Sequence, residues 1–426
     1  MQRSAIVLFS IVAAYVAYPT LSDHFSAQPD RYQNKCTAHI THARQDPYFT
    51  PRPTEKINIV KLTNSGEFVD RCELTDALAD IGWDSSLSWL PRSDKARAGL
   101  PKLVVLYVHG WLHDSDADDE NLREFTGLVE RLRADNRGKK NVVGVYVGWN
   151  ASWGPAPIAF LSFWSKELIA DRIAQSAVVT KIVSAINAML ERDKALPDQF
   201  VAIGHSFGAR ILFSATSQAL VAEAERAHPG HSKGQYRIVE GLADSLILLN
   251  PAFAAARYTA LDDVTRNEEA FSDRQLPVSF IISTENDWAN KVAFPIGKWL
   301  GAERSDKEMT TVGNFSPYQT HALLRGLNSG CTESDNSKIS ERFFQEGLCL
   351  QRIPNKAYDG DRARPKLQQF NPFIVARTTA DVIDGHGGIW SREFSNWLFL
   401  LVNSLGARRN ARTNLLDAQA SDGSSK

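Results

Sequence analysis

Short apolar runs alternate with longer amphipathic stretches between residues 100 and 290, and this alternation restricts the possible folds more than any other feature of the sequence. Each run is apolar at successive positions, which is typical of strands buried on both faces of a sheet. The candidate strands are LVVLYV (103–108), NVVGVYVGW (141–149), FVAIG (200–204), SLILLN (245–250) and VSFIIS (278–283), with INIVKLT (57–63) before them and FIVART (373–378) after them.

The stretches between these runs have apolar residues at intervals of three and four. This spacing predicts helices over 118–135, 166–193 and 208–227. Strands that alternate with helices are joined by right-handed crossovers, which make neighbouring strands parallel. The sequence therefore predicts an α/β fold with a mostly parallel sheet and helices on both of its faces.

The alternation stops after the last of the central strands and resumes only near residue 370. This stretch is too long for a simple loop, so we interpret about 288–370 as an insertion between the last two strands that covers the site described below. The predicted organisation is a signal peptide or signal anchor at 1–22, an N-terminal extension with early strands at 23–99, the main domain at 100–405 and a polar, disordered tail at 406–426.

The N-terminus has the pattern of an export signal. One positive charge, at Arg3, precedes an apolar run from Ala5 to Tyr18. The bulky Tyr15 makes a poor cleavage site, and no charge occurs between Arg3 and Asp23, so an uncleaved membrane anchor over residues 4–22 is the alternative to a cleaved signal. Either predicts a periplasmic, extracellular or membrane-anchored protein, and a buried first strand is the third interpretation.

The four cysteines fall into two local pairs, which suggests disulfides Cys36–Cys72 and Cys331–Cys349 in an oxidising compartment. Four cysteines allow three pairings, and buried free thiols are the alternative. No CxxC or histidine-rich spacing indicates a metal, and no motif indicates a cofactor. A formal net charge of −1 offers no general attraction for nucleic acid. The sequence contains no indication of oligomeric state.

The pentapeptide Gly204-His205-Ser206-Phe207-Gly208 lies between a predicted strand and a predicted helix. This G-x-S-x-G pattern in a strand–turn–helix context is typical of a nucleophile elbow, in which a strained turn projects the serine above the sheet edge. The two glycines remove side chains that would collide with the adjacent strand and helix. Ser206 is therefore the candidate nucleophile, and a tight turn without chemistry is the alternative.

A serine hydroxyl also needs donors that stabilise the oxyanion formed when it attacks a carbonyl. The strand LVVLYV ends at His109-Gly110-Trp111, where Gly110 allows the backbone to turn toward the site. We expect the backbone N–H groups of Trp111 and Phe207 to be these donors. His109 is expected only to brace the loop, and His113 and His205 are expected to be hydrogen-bonded structural histidines.

The general base is expected to be a histidine that follows the acid along the chain. His386, in the glycine-rich loop of DVIDGHGGIW after FIVART, is the favoured candidate over His321 in YQTHALL. The favoured acid is Asp287, just past VSFIIS, with Glu285 second and Asp384 a further rival. A solvated surface acid is the alternative for each of them.

These motifs, in this order, resemble the α/β-hydrolase superfamily. More narrowly, VYVGWNASW, FWSKELIADR, LLNPAF and YQTHAL resemble a group of largely uncharacterised bacterial and fungal hydrolases of esterase or lipase type. The resemblance spans about residues 100–400. It implies an eight-stranded, mostly parallel sheet and a triad of Ser206, Asp287 and His386. The chain lacks the HGGG loop of better-known lipases, which leaves the substrate open.

The resulting hypothesis is a serine hydrolase that cleaves carboxylic esters, either small-molecule or lipid esters, through an acyl-enzyme. The same triad also serves acyl transfer, thioester hydrolysis and amide hydrolysis. A non-catalytic envelope binding module that kept the elbow, and an envelope-anchored structural protein, are hypotheses of other classes. The tryptophan-rich segment 149–168 is expected either to line an acyl pocket or to form a helix-packing face.

Overall fold

A computed structural model describes residues 57–81, 100–151, 162–191, 198–227, 238–266, 271, 275–300, 304–326, 347–353 and 370–405. The predicted signal or anchor segment at 1–22 and the predicted tail at 406–426 lie outside the described residues, as do parts of the N-terminal extension, the tryptophan-rich segment and the insertion.

Within the described residues, nine strands form one sheet in the order β1-β3-β2-β4-β5-β6-β9-β7-β8. All neighbouring pairs are parallel except β7 with β8, so the predicted mostly parallel α/β sheet is confirmed. The strands are β1 (Asn58–Leu62), β2 (Lys102–Val108), β3 (Asn141–Trp149), β4 (Gln199–His205), β5 (Ser245–Leu249), β6 (Ser279–Thr284), β7 (His321–Arg325), β8 (Leu348–Arg352) and β9 (Phe373–Thr378).

The expected count of eight strands is wrong, because the sheet has nine. The two strands that the sequence did not predict, β7 and β8, both belong to the presumed insertion and extend the sheet beyond β9. Their sequences, HALLR and LCLQR, contain no β-branched residue and no Phe, Tyr or Trp, and each ends in an arginine. These strands form through pairing with β9 and with each other, which local sequence preference does not reveal.

Nine α-helices are described. They are α1 (Arg71–Ile81), α2 (Glu120–Asp135), α3 (Phe163–Gln175), α4 (Val178–Glu191), α5 (Phe207–Ala227), α6 (Thr259–Thr265), α7 (Phe294–Leu300), α8 (Asp306–Met309) and α9 (Arg392–Ser404). The single helix expected over 166–193 is two helices, because Ala177 adopts a left-handed φ of 57° that no regular helix contains. No single described helix is long and apolar enough to cross a membrane. The pair α3 and α4, which meet at a bend of 48°, has the length and the apolar composition of a span, by these two criteria alone.

Two apolar cores cover the two faces of the sheet. Along β2, Val104, Leu106 and Val108 join the core that includes α1, α3, α4 and α5. Leu103, Val105 and Tyr107 join the opposite core, under α2 and α9. Since successive strand residues point to opposite faces, a strand between two helical layers has to be apolar at every position. This explains the continuous apolar runs and confirms helices on both faces.

The chain order reverses beside β2. From β2 the chain moves to β3 on one side and then returns to β4 on the other side. In open α/β sheets, ligand sites form at the carboxyl ends of the strands at such a reversal. The carboxyl ends of β2 and β4 carry the HGW and GHSFG motifs, so the topology places both at the same crevice.

Cys72 lies in α1 and Cys349 in β8, and each is disulfide-bonded. Neither of these described cysteines is a free thiol. Their predicted partners, Cys36 and Cys331, lie outside the described residues, so the pairing stays a prediction.

Candidate active site

Ser206 occupies a strained turn between β4 and α5. Its φ is 56°, a left-handed value that costs a non-glycine residue free energy and therefore has to be enforced by its surroundings. Its N–H donates to Leu249 O at 3.0 Å, and its carbonyl accepts from the N–H groups of Arg210 and Ala252, both at 3.2 Å. These bonds tie the turn to β5, to α5 and to the loop after β5, so the backbone is held in the conformation of a nucleophile elbow.

Two glycines make room for this turn. A Cβ atom on Gly208 would lie 2.5 Å from the carbonyl oxygen of His109 and closer still to that of Val108, at the end of β2. A Cβ on Gly204 would lie 2.7 Å from Ala209 Cα. Both distances are too short for real atoms, so the glycines allow α5 to begin directly against β2 and β4.

The structure brings Ser206, His386 and Asp287 together, although they lie on three separate elements. His386, in the loop after β9, has Nε2 at 2.6 Å from Ser206 Oγ. Its Nδ1 lies 2.7 Å from Asp287 Oδ2, on a carboxylate without solvent exposure just past β6. In the tautomer that this arrangement favours, Nδ1–H donates to the carboxylate and Nε2 accepts from the serine hydroxyl.

Ser206 itself is buried, whereas the His386 side chain keeps 16% of its surface exposed. The hydroxyl thus faces the imidazole at the carboxyl edge of the sheet, but neighbouring groups cover it. A reacting carbonyl has to displace part of this cover before it reaches Oγ.

The rival candidates lie elsewhere. Glu285 is exposed at the end of β6. Asp384 is also exposed and accepts a hydrogen bond from Asn286 Nδ2 at 2.8 Å. His321 is the first residue of β7, with Nδ1 at 2.8 Å from Thr320 Oγ1. None of the three is hydrogen-bonded to Ser206 in the described part of the chain, and the geometry favours Asp287 and His386.

Asn290 holds the Asp287 carboxylate and was not identified from the sequence. Its backbone N–H donates to Oδ1 at 3.0 Å, and its side-chain amide donates to Oδ2 at 2.8 Å. An aspartate that accepts from the N–H three residues later is a typical helix N-cap. The spacing in NDWAN contains that signal, and together with His386 it gives Asp287 three donors that fix the orientation of its carboxylate.

His205 and Asn250 fix the loop that carries His386. Both side chains donate to the His386 carbonyl at 2.9 Å, His205 through Nε2–H and Asn250 through its amide. Because a carbonyl only accepts, the buried Nδ1 of His205 carries a lone pair, and it has no partner in the described structure. The sequence shows only a histidine at the end of β4 and an asparagine directly after β5, and neither pattern indicates a contact with His386.

The expected oxyanion donors lie beside Ser206. Phe207 is the first residue of α5, where backbone N–H groups have no partner within the helix. Gly110 packs against the serine, since a Cβ on it would lie 2.6 Å from Ser206 Cβ, and Trp111 follows directly. Neither the Trp111 nor the Phe207 N–H donates to another described backbone group. Neither N–H is therefore used by the described backbone, and that of Phe207 lies at the positive end of α5.

His109 braces the loop after β2, as expected. Its Nδ1–H donates to Gly110 O at 2.9 Å, and its Nε2 accepts from Trp149 N–H at 2.9 Å. Burial lowers its pKa to about 4, because a charged ring there would lose its hydration and the acceptor role of Nε2. His113, also expected to be structural, pairs with Asp119 at 3.0 Å.

We expect acid to unfold the protein through these buried histidines. Burial lowers the pKa of His109 to about 4, and burial together with the nearby His386 lowers that of His205 well below 6.5. As the pH falls below about 6.5, the unfolded chain therefore binds protons that the folded chain does not. Each histidine then removes about 1.4 kcal/mol of unfolding free energy per pH unit, down to its folded pKa.

Urea unfolding at a series of pH values between about 7 and 5 measures this slope. In His205→Gln one titrating group is gone, while the glutamine amide is long enough to replace the donor to His386. We expect a shallower slope for this variant. An identical slope would show that His205 takes no part in the acid response.

Among the described residues, no group of three or more His, Cys, Asp or Glu side chains is placed to hold a metal ion. No family model, curated protein or solved structure matches the chain. The functional proposal therefore rests only on the geometry of the site.

Proposed function

We propose that this protein is a serine hydrolase of the α/β-hydrolase fold that cleaves carboxylic esters. The observation that carries the proposal is the pair of hydrogen bonds from His386, at 2.6 Å to Ser206 Oγ and at 2.7 Å to Asp287 Oδ2. A nucleophile bonded to a base, with the base oriented by a buried acid, is the arrangement that activates a serine. The order serine, acid, histidine along the chain is the one this fold uses.

The proposed reaction has two halves. Ser206 Oγ attacks the ester carbonyl while His386 Nε2 takes its proton, and Asp287 stabilises the resulting imidazolium. The N–H groups of Trp111 and Phe207 stabilise the oxyanion. The tetrahedral intermediate collapses as His386 returns the proton to the leaving alcohol, and water, activated by the same imidazole, then releases the acid from the acyl-enzyme.

Three observations support catalysis over a binding role. The left-handed φ of Ser206 is the strained conformation of a nucleophile elbow, and hydrogen bonds to Leu249, Arg210 and Ala252 hold it. The elbow lies at the sheet reversal where ligands bind. Backbone donors near the hydroxyl are unused by other described backbone groups. Transfer of the acyl group to an acceptor other than water would use the same residues. Export or membrane anchoring through residues 4–22 stays part of the proposal.

A fluorophosphonate probe tests the proposal directly, because it bonds covalently only to an activated serine. We expect stoichiometric labelling of the full chain, none of Ser206→Ala, and unchanged labelling of Ser214→Ala, which removes the hydroxyl of a half-buried serine within α5. Since Ser206 is buried, the labelling rate will report how often the site opens. Equal labelling of wild type and Ser206→Ala would refute the assignment.

A second prediction concerns His205 as a positioning residue. His205→Phe removes the donor to the His386 carbonyl, and we expect kcat to fall about 10- to 100-fold with KM little changed, since small misplacements of a catalytic group have effects of this size. His205→Gln, which supplies a donor of similar reach, is expected to restore most of the activity. Equal kcat values for both variants would show that the ring is only a space filler.

A further inference from the structure

Large apolar side chains are exposed along one face of the segment that follows Asp287. Trp288 is 51% exposed and Trp299 is 56% exposed, and between them Val292 and Ile296 are also exposed. A π-helical turn over Ala289–Ala293 runs directly into α7, and along this helix the spacing of four, four and three residues places the four side chains on one side. We call them the apolar stripe.

The stripe belongs to a well-anchored element. On the opposite side of the same segment, Ala289, Ala293 and Phe294 are buried in the core. The Trp164 indole N–H donates to the Ala293 carbonyl at 3.2 Å, which ties the segment to α3. The exposure is therefore a property of a packed helix. Of the large apolar side chains that are exposed in the described residues, only Leu112 and Leu168 lie outside the stripe.

The charges within the segment that carries the stripe are positive, and the flanking acids Asp287 and Glu303 lie just outside it. Residues 288–302 contain two lysines and no acidic residue. Lys291 is exposed beside the stripe, and the Arg304 guanidinium lies 5.6 Å from the centre of the Trp299 ring. Tryptophans at the ends of an apolar face, with cations and no acid between them, are typical of helices that lie in a membrane interface and bind anionic lipids.

We propose that the apolar stripe docks the protein on an anionic lipid surface. The stripe starts at the residue after the triad acid, so docking would place the carboxyl edge of the sheet close to that surface. If the proposed ester hydrolysis is correct, its substrates are then lipid esters taken from the surface. This last step rests on the proposed function, whereas the docking does not.

The test uses the full chain with Val292→Cys carrying a polarity-sensitive nitrobenzoxadiazole dye. On addition of vesicles of phosphatidylglycerol and phosphatidylcholine we expect a several-fold rise in emission with a blue shift, a weaker response to phosphatidylcholine alone, and a loss of the difference at high salt. The same dye on Lys139→Cys, exposed before the amino end of β3, is expected not to respond. This readout is local, so binding through residues 4–22 alone does not produce it.

Charge variants in the Val292→Cys background separate the contributions. Lys291→Gln is expected to weaken the response to anionic vesicles, whereas Lys139→Gln removes the same charge elsewhere and leaves it unchanged. An unchanged dye signal in the presence of vesicles would overturn the proposal. A signal that rises with protein concentration alone would also overturn it, because the stripe would then be a contact between copies. Fluorophosphonate labelling of Ser206 reports the proposed reaction separately, so either can fail without the other.

Discussion

Ser206→Ala and His386→Ala are each expected to lower the turnover of a soluble nitrophenyl ester by about 10⁴- to 10⁶-fold. In the structure the hydroxyl and the imidazole form one unit, joined at 2.6 Å, and among the described residues neither group has another partner for the proton that the reaction moves. The double variant Ser206→Ala/His386→Ala should consequently be no slower than either single variant. Steady-state kinetics on the folded variants measures this, and additive losses would contradict a shared role.

Asp287 and Glu285, the two acids just past β6, allow a matched test of which one orients His386. Asp287→Asn leaves a side chain of the same shape but favours the wrong histidine tautomer, and a loss of about 10⁴-fold in kcat is expected. Glu285→Gln removes a charge two residues earlier from an exposed carboxylate, and its activity should stay near that of the wild type. The reverse ranking would transfer the role of the acid to Glu285.

The central strands and the elbow were predictable because local sequence determines them. Strands between two helical layers need apolar side chains on both faces, which is visible in runs such as LVVLYV. The elbow needs glycines on both sides of Ser206, and close packing against β2 and α5 allows nothing larger. Such requirements act within a few residues, so they leave a pattern that can be recognised without coordinates.

The rest depends on contacts between distant residues. The strands β7 and β8 have no strong local preference and exist because β9 offers an edge to pair with. His205 and Asn250 act on His386 through a carbonyl more than 130 positions away in sequence. The burial of Ser206 also depends on what packs above it. Sequence patterns identify which residues carry chemistry, whereas the residues that hold them in place become visible only in the folded chain.

The second large effect is expected at Gly208, where the addition of one methyl group should destabilise the whole fold. An alanine Cβ would lie 2.5 Å from the His109 carbonyl oxygen and closer to that of Val108. These are backbone atoms at the end of a central strand, which cannot rotate away as a side chain can. We expect Gly208→Ala to lower the unfolding free energy by about 3 kcal/mol or more, at or above the upper range for overpacked cores.

Gly127→Ala provides the matched control, since this glycine lies inside α2 and a Cβ there meets no atom within 4 Å. In an unobstructed helix interior, alanine is favoured over glycine, so this variant should gain about 0.5–1 kcal/mol. Urea unfolding of both variants, followed by tryptophan fluorescence, measures the two effects with opposite signs. If Gly208→Ala were as stable as the wild type, α5 could begin further from β2. The strained turn at Ser206, on which the proposed catalysis depends, would then not be enforced by the fold.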